Sequence, residues 1–323
     1  MPRIVTALAF TAGVPLALVG WLWLVERLLR PLGRRRAGQL RPWAWLAPGA
    51  LLIGVFLAYP LINTLLLSTR DATSSHFVGL ANFTEVLGSG DVRGALRNNI
   101  LWLVLLVGGC LLAGLLVSVL ADGTRYESVA KAAVVLPTAV SFVAGAVVWR
   151  AMYDYRPPGT AQTGTLNAAL VAATGHDPVS WLVNTRTNNA ALIVVGIWMT
   201  AGFAVVVLSA AVKNVPRELV EAAKVDGAGP LRVFRHVVLP ELIPTIVLVV
   251  TFLGITAFKS FDVVYVLTNG SYGTDVIANV MYRELFVSSD YGHASAIAVL
   301  LLIIAMPVLL VNLRIGRGRE VAP

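Results

Sequence analysis

The sequence is poor in charge and nearly free of cysteine. Only 13% of its 323 residues are charged and 57% are hydrophobic, whereas soluble domains carry about 25% charged residues. This shortage of charge excludes an ordinary water-soluble domain and indicates a chain embedded in lipid. The single cysteine, Cys110, excludes an intrachain disulfide framework and a cysteine-rich metal site.

Motifs for catalysis are also absent. No Gly-Lys dipeptide occurs, which excludes a phosphate-binding loop of the G-x-x-x-x-G-K-[ST] kind, and there is no G-x-S-x-G or H-E-x-x-H pattern. Four histidines lack metal-ligand spacing and are interpreted as loop or helix-end residues: His76, His176, His236 and His293. We therefore expect no catalysis by this chain and no metal site in it.

Long apolar runs are what the sequence does contain. A bilayer core of about 30 Å needs about 20 apolar residues per helix. Seven runs qualify: 4–25, 43–67, 98–121, 132–152, 189–212, 242–267 and 292–313. None alternates with the period of two that a membrane β-barrel requires. The prediction is an all-α membrane protein with about seven transmembrane helices.

The basic residues predict the orientation of these helices. Sixteen of the 25 Lys and Arg residues lie in four segments, 26–42, 122–131, 213–241 and the tail from Arg314. The positive-inside rule places these segments in the cytoplasm. The net charge of +8 is thus interpreted as membrane topology and not as nucleic-acid binding.

The first run, 4–25, is not a secretory signal. A signal peptide carries positive charge before its apolar region, whereas this run has only Arg3 before it and several arginines behind it. We interpret it as an extra anchoring helix with its N-terminus outside.

One of the basic segments has an unusual pattern of prolines and acids. Pro216 suits the first position of a helix, and Glu218 and Glu221 fall in its early turns, where negative charge is favoured. The helix is predicted to run to about Asp226 and to stop at Gly227, since glycine adopts a left-handed cap most readily.

A second short helix is predicted from Pro230, closed by Pro240 at the membrane. Together the two helices would form a protrusion, residues 213–240, which we call the knob. Four of its residues offer an apolar face that could enter a groove of a partner protein: Leu219, Val220, Ala222 and Ala223.

The knob resembles the EAA signature of binding-protein-dependent ABC importer permeases. The matching residues are Glu221, Ala222, Ala223, Gly227, Val237, Leu239 and Pro240. Val237 replaces the isoleucine usual in the family, and Asp226 and Ala228 complete a common D-G-A extension. The structural alternative is an amphipathic cytoplasmic hairpin, which would explain the prolines and glycines but not the whole string.

The resemblance extends over residues 76–313 and is closest to the maltose, alpha-glucoside and trehalose type of sugar permease. The supporting segments are 77–83, Leu136-Pro137, Trp149, Trp181-Leu182, 258–262 and 268–270. Segment 268–274 departs from the family pattern T-x-G-G-P, because it lacks the second glycine and the proline. This departure leaves the subfamily less sharply defined.

The resemblance implies a type I ABC importer permease core of six helices plus the anchor helix. The domains would be an anchor helix and basic cytoplasmic linker (1–42), a first core helix and extracytoplasmic loop (43–97), a transmembrane domain containing the knob (98–313) and a cytoplasmic tail (314–323). The chain would be a multi-pass protein of the cytoplasmic membrane.

The resemblance also implies partners. These are a second homologous permease, two copies of an ATP-binding cassette ATPase and an extracytoplasmic sugar-binding protein. ATP and Mg would be bound by the ATPase, and this chain would hold no cofactor. The knob would couple ATP hydrolysis to alternating access through Glu218, Glu221, Ala222, Ala223, Asp226, Gly227, Leu239 and Pro240.

Two helix faces correspond to the positions that line the sugar site of maltose-type relatives. Helical spacing groups Gly196, Thr200 and Phe203 on one face and Leu253, Thr256 and Ser260 on the other. The alternative is that these hydroxyls only bond a backbone carbonyl or a neighbouring helix.

Lys259 and Asp262 are opposite charges near an apolar run. A rise of about 1.5 Å per residue from Pro240 places Lys259 near the outer interface. Snorkelling, a mutual ion pair and an outer gate are all open interpretations. For the whole chain, the alternatives to an ABC sugar permease are a secondary transporter and a membrane scaffold.

Overall fold

The computed structural model describes residues 13, 16, 19–31 and 33–317. In this part of the chain every regular element is a helix, and the extended pairing is limited to an isolated bridge between Arg70 and Phe77. The predicted all-α class is confirmed. It follows from the bilayer, where an apolar segment satisfies its backbone N–H and C=O groups by forming a helix.

Four helices among the described residues are long and apolar enough to cross a membrane, and a bent pair raises the number to five. The four are Arg35–Leu67, Gly90–Leu120, Asn188–Lys213 and Pro230–Leu267. Tyr291–Pro307 is a shorter apolar helix. Most of the predicted run 4–25 lies outside the described residues, so the count of seven stays a prediction.

The chain divides into two compact units, residues 1–66 and 67–323. In the first unit, residues 19–29 form helix α1. A long helix follows as α2 (Arg34–Ile53) and α3 (Tyr59–Leu67). Its first turns take up residues 34–42 of the basic segment that the sequence predicted as a linker, and the helix continues through Pro42 and Pro48.

Polar contacts hold α1 against the start of α2. The indole Nε1 of Trp21 donates to the carbonyl of Ala44 at 2.9 Å, and the guanidinium of Arg41 pairs with the carboxylate of Glu26 at 2.9 Å. The apolar side chains of α2 and α3 are largely exposed in the isolated chain, which suits a surface that faces lipid or another membrane subunit.

The second unit holds the core of the protein. Its helices are α4 (Ala81–Gly88), α5 (Gly90–Leu120), α6 (Glu127–Val135), α7 (Phe142–Met152), α8 (Thr165–Thr174), α9 (Asn188–Lys213), α10 (Arg217–Val225), α11 (Pro230–Val233), α12 (Leu239–Phe258), α13 (Asp262–Leu267), α14 (Ile277–Phe286) and α15 (Tyr291–Arg317). Of these, α5, α9, α12 and α15 have the length of about 20 residues that a crossing of the bilayer requires, and the others are shorter.

The central packing is between α5 and α9. Small residues let the two backbones come close: a Cβ added to Gly114 would lie 2.9 Å from the Cβ of Ala204. Deep in this contact the hydroxyls of Ser118 and Ser209 are 2.9 Å apart and share a hydrogen bond. Large buried side chains fill the remaining space: Trp102, Leu106, Leu192, Ile193, Val195 and Leu208.

The prediction of one helix over 132–152 is wrong, because the chain bends by 106° between α6 and α7. The corner is a 3₁₀ turn, Leu136–Ala139. Pro137 within it lacks an N–H, and Ser141 starts α7 by accepting the N–H of Ala144 on its hydroxyl at 3.2 Å.

The predicted helix over 242–267 is also interrupted. The helix α12 ends at Phe258 and α13 begins at Asp262. At the break, the N–H of Phe261 bonds the carbonyl of Lys259 at 2.7 Å. This tight turn redirects the chain and brings residues 259–263 to the side of a cavity described below.

Pro240 does not close the second helix of the knob, so that prediction is wrong. The chain stays helical from Pro230 into α12 through a π turn, Phe234–Val238. In this turn the N–H of Leu239 bonds the carbonyl of Phe234, five residues back. A widened turn accommodates the proline ring that follows, and the same arrangement precedes Pro60.

The α5–α9 contact generates a prediction for Gly114. Gly114→Val should lower the free energy of unfolding by about 1–3 kcal/mol, because the added methyl groups overpack the interface with Ala204 and Leu208. Gly108→Val on the same helix is the control, since a Cβ there meets no atom within 4 Å. Thermal unfolding of the detergent-purified protein measures both. Equal melting temperatures for the two variants would contradict this account of the packing.

Candidate functional site

A cavity of about 240 Å³ lies between α5, α7, α9 and the break that joins α12 to α13. Its lining combines aromatic, hydroxyl and charged side chains with small and aliphatic ones: Trp102, Leu106, Phe142, Gly196, Thr200, Thr256, Lys259, Ser260, Asp262 and Val263. Such a mixture of apolar walls and a few polar groups is typical of a small-molecule site.

Two helix breaks meet at this cavity. Phe142 is the first residue of α7, directly after the 106° corner. Lys259, Ser260 and Asp262 lie in or beside the break after α12. Irregular backbone at membrane depth is tolerated where it is buried in protein or lines a cavity, so the breaks fit their position.

Of the residues predicted for the substrate pathway, Gly196, Thr200, Thr256 and Ser260 line the cavity. Phe203 and Leu253 do not. Leu253 is fully buried in the core, and the ring of Phe203 stacks on Phe252 with centroids 4.0 Å apart. Each predicted face therefore reaches the cavity with two of its three residues.

The three hydroxyls of the lining already donate their protons to their own helices. Thr200 donates to the carbonyl of Gly196 at 2.7 Å. Thr256 donates to Phe252 at 3.0 Å and Ser260 to Thr256 at 3.3 Å. The oxygen of Thr200 also shares a hydrogen bond with the Sγ of Cys110 at 3.2 Å. The oxygens of Thr256 and Ser260 keep lone pairs that can accept a hydrogen bond from a ligand.

Gly196 acts through packing as well as position. A Cβ at Gly196 would lie 2.7 Å from the ring of Trp102 and from Leu106. The absence of a side chain at Gly196 therefore lets the ring of Trp102 pack against α9 beside the cavity. Sequence reasoning missed Trp102, although a tryptophan inside an otherwise aliphatic run is a signal that could have pointed to it.

Lys259 and Asp262 do not pair with each other. No salt bridge joins them among those found within residues 19–31 and 33–317. Both side chains are exposed in the isolated chain and line the same cavity. The mutual ion pair, one of the interpretations open from the sequence, is thus not formed in this structure.

The first helix of the knob ends in a Schellman motif. Gly227 adopts a φ of +80°, and its N–H bonds the carbonyl of Lys224 at 3.0 Å. The N–H of Ala228 reaches back to the carbonyl of Ala223, also at 3.0 Å. This pairing satisfies the last carbonyls of α10 and requires a residue that tolerates the left-handed region. The predicted left-handed conformation of Gly227 is confirmed.

The start of this helix differs slightly from the prediction. Pro216 is the N-cap residue, with an extended ψ of 126°, and α10 begins at Arg217. A shift of one residue is within the ordinary uncertainty of helix ends. Glu218 lies in the first turn, as predicted, where its carboxylate faces the positive end of the helix dipole.

The knob presents both apolar and acidic groups to its surroundings. Leu219, Val225 and Leu231 are 46%, 87% and 78% exposed. The other residues predicted for coupling divide into an exposed set (Glu218, Glu221, Ala222, Asp226, Gly227 and Pro240) and a half-buried set (Ala223 and Leu239). Exposed aliphatic side chains on a charged protrusion are typical of a surface that a partner covers.

An ion-pair cluster holds the root of the knob. The carboxylate of Glu127 lies 2.6 Å from the ammonium groups of Lys213 and Lys131 and also accepts the N–H of Gly123 at 3.1 Å. Lys213 is the last residue of α9, directly before the knob, whereas Glu127 begins α6. The cluster therefore ties the base of the knob to the helix that leads into the 106° corner.

Comparison with known sequences identifies a family. The profile described as "Binding-protein-dependent transport system inner membrane component" matches residues 102–318. The chain is 42% identical to the osmoprotective compounds uptake permease protein GgtC of Synechocystis sp., over 85% of this chain and 99% of that protein. It is 38% identical to the alpha-glucoside transport system permease protein AglF of Rhizobium meliloti, over 87% of this chain and 83% of that protein.

Comparison with solved structures supports the same fold. A chain from the crystal structure of a bacterial ABC transporter involved in the import of the acidic polysaccharide alginate matches with a TM-score of 0.75 and 24% identity. The match covers 88% of this chain and 99% of that one. With the family profile and the two relatives, it leads to one conclusion: the chain belongs to the binding-protein-dependent transport system inner membrane components, the non-catalytic permease subunits of ABC importers.

Proposed function

We propose that this chain forms half of the translocation pathway of an ATP-driven importer of sugars, specifically of disaccharides or alpha-glucosides. The cavity between α5, α7, α9 and α12 is the observation that carries the proposal. Its hydroxyl oxygens suit the hydroxyl groups of a neutral sugar, and its aromatic rings suit the apolar faces of a pyranose.

The name of the relative AglF supports this substrate class. GgtC takes up osmoprotective compounds and AglF belongs to an alpha-glucoside transport system. The two alternatives, a secondary transporter and a membrane scaffold, have no support from the family to which the chain belongs.

The partners follow from the division of labour in such an importer. The chain would assemble with a second homologous permease, two copies of an ATP-binding cassette ATPase and an extracytoplasmic sugar-binding protein. The ATPase would bind ATP and Mg. The exposed apolar and acidic side chains of the knob support docking of the ATPase there.

The orientation follows from the position of the knob. An ATPase works in the cytoplasm, so the knob would face that side of the membrane, together with the basic segments that contain sixteen of the 25 Lys and Arg residues. The C-terminus would then be cytoplasmic and the N-terminus extracytoplasmic.

Reconstitution tests the proposal as a whole. The chain is coexpressed with the candidate second permease, ATPase and sugar-binding protein of its source, purified in detergent and placed in proteoliposomes with ATP inside. We expect copurification of a second permease and an ATPase, and uptake of radiolabelled maltose, sucrose or trehalose that requires ATP and the binding protein. Uptake driven by an ion gradient without ATP would contradict the proposal.

The cavity hydroxyls give a first prediction for this importer. Thr256→Val and Ser260→Ala should each raise the KM for sugar uptake about three- to tenfold, because each loses an acceptor for a sugar hydroxyl. Thr251→Val is the control: its hydroxyl also bonds a carbonyl of its own helix, that of Val247 at 2.8 Å, but it does not line the cavity. Unchanged KM values in the two cavity variants would assign recognition to the second permease.

The cap of the knob gives a second prediction. Gly227→Val should destabilise the conformation at the end of α10 by roughly 1–2 kcal/mol, because a side chain is strained at a φ of +80°. Gly229→Val is the matched control, since it also places a side chain in open space but has an ordinary φ of −69°. We expect Gly227→Val to insert normally and to lose sugar-stimulated ATP hydrolysis. Full coupling in this variant would refute the role of the cap.

The acidic side of the knob gives a third prediction. Glu221→Lys should weaken the binding free energy of the ATPase by several kcal/mol, because reversing a charge at a partly desolvated interface places like charges together. The measurement is the amount of ATPase that stays bound during purification. Glu221→Gln should have a smaller effect. If Glu221 is only solvated, both variants will behave as wild type, since exposed charges contribute little.

A further inference from the structure

The cavity lacks hydrogen-bond donors among its hydroxyl residues. The protons of Thr200, Thr256 and Ser260 are directed at backbone carbonyls of their own helices. A sugar presents donors and acceptors in similar number, so a lining that only accepts would leave the sugar's acceptor oxygens unpaired. Side chains other than these hydroxyls must supply the donors.

Lys259 has the donor capacity that the hydroxyls lack. An ammonium group carries three protons, and the hydrogen bonds and salt bridges of the described residues engage none of those of Lys259. The side chain is exposed at the C-terminal end of α12, where the chain turns towards α13. The turn holds the residue at the cavity wall.

Asp262 supplies the strongest acceptor on the same wall. It is the first residue of α13, three positions after Lys259, and its carboxylate is exposed and lines the cavity. Carboxylates form shorter and stronger hydrogen bonds than neutral oxygens do. A cation and an anion that share a cavity without pairing with each other are both available to a ligand.

Trp102 contributes an aromatic face to the same site. It is 1% exposed and lines the cavity, and atoms of its six-membered ring lie next to Gly196. Its Nε1 is buried and has no hydrogen-bond partner. Because this N–H is buried, Lys259 remains the donor that an occupant of the cavity can reach.

We propose that Lys259 and Asp262 determine substrate specificity, binding adjacent oxygens of a neutral, polyhydroxylated substrate from the wall of the cavity. The ammonium group of Lys259 donates to one sugar oxygen, and the carboxylate of Asp262 accepts from a neighbouring hydroxyl. This inference rests on the proposed function and adds two residues to it. In this proposal Lys259 and Asp262 recognise the substrate, and snorkelling to the membrane surface is not their only role.

The test combines protein variants with altered sugars. Lys259→Met and Asp262→Ala complexes are assayed in proteoliposomes with a transported disaccharide and with its monodeoxy analogues, each lacking one hydroxyl. For each complex, the uptake kcat/KM of an analogue is divided by that of the parent sugar. The sugar-binding protein contributes the same factor to this ratio in every complex, so its contribution cancels when a variant is compared with wild type. Arg125→Met, which removes a cation outside the cavity, is the control for net charge.

We expect one analogue to lose about ten- to hundredfold in uptake kcat/KM with the wild-type complex, as for a hydrogen bond to a charged group. With Asp262→Ala the same analogue should have the same uptake kcat/KM as the parent sugar. The other analogues should keep the ratios that they have with the wild-type complex. Lys259→Met should erase the discrimination at a neighbouring position. Arg125→Met should leave every ratio unchanged.

Two results would overturn the inference. One is a set of ratios that is the same in wild type, Lys259→Met and Asp262→Ala. The other is recovery of wild-type uptake in the charge-swapped variant Lys259→Asp/Asp262→Lys, which would show that the two residues act only on each other. A wild-type complex that transports no sugar would contradict the proposed function itself, so the two failures are distinguishable.

Discussion

The requirement that backbone polar groups in lipid find partners within the protein governs this structure. Long apolar runs meet it as helices, and each interruption is repaired locally. Ser141 caps the helix after the corner at Pro137, and a π turn precedes Pro240. The breaks at Ser141 and at Lys259 lie at one cavity. The chain therefore presents polar groups to this cavity where its helices are interrupted, an arrangement also found in transporters with discontinuous helices.

The close contact of α5 with α9 positions that cavity. Gly196 leaves room for Trp102, and Gly114 leaves room for Ala204 and Leu208, so the two helices can form a rigid wall. On this wall the side chains are divided in their roles. The hydroxyls of Thr200, Thr256 and Ser260 bond carbonyls of their own helices, whereas Lys259 brings protons that no described residue uses.

An ion pair links the base of the knob to the helix that precedes the corner at the cavity. Glu127 pairs with Lys213 at the end of α9 and stands at the start of α6, the helix that leads into the corner before Phe142. A displacement of the knob by an ATPase would therefore act on α6 as well as on α9. The Schellman motif at Gly227 fixes the angle between α10 and the chain that follows. Such a displacement would therefore move α10 and the helices of the bundle together, without a change of angle at Gly227.

The sequence by itself determined the helical class, the apolar runs and the knob, because these depend on composition and on local chemistry. The left-handed Gly227 is an example: only the residue and its neighbours are needed to predict it. Tertiary structure decided the rest. Pro137 breaks a helix, and the corner that results packs against Gly202 of α9. Pro240 does not break a helix, because a widened π turn precedes it. Likewise, spacing placed Thr256 and Phe203 on inward faces, but only the packing of α5, α7, α9 and α12 decided that Thr256 reaches the cavity while Phe203 stacks on Phe252. Periodicity specifies direction around one helix, whereas depth in a site depends on how several helices cross.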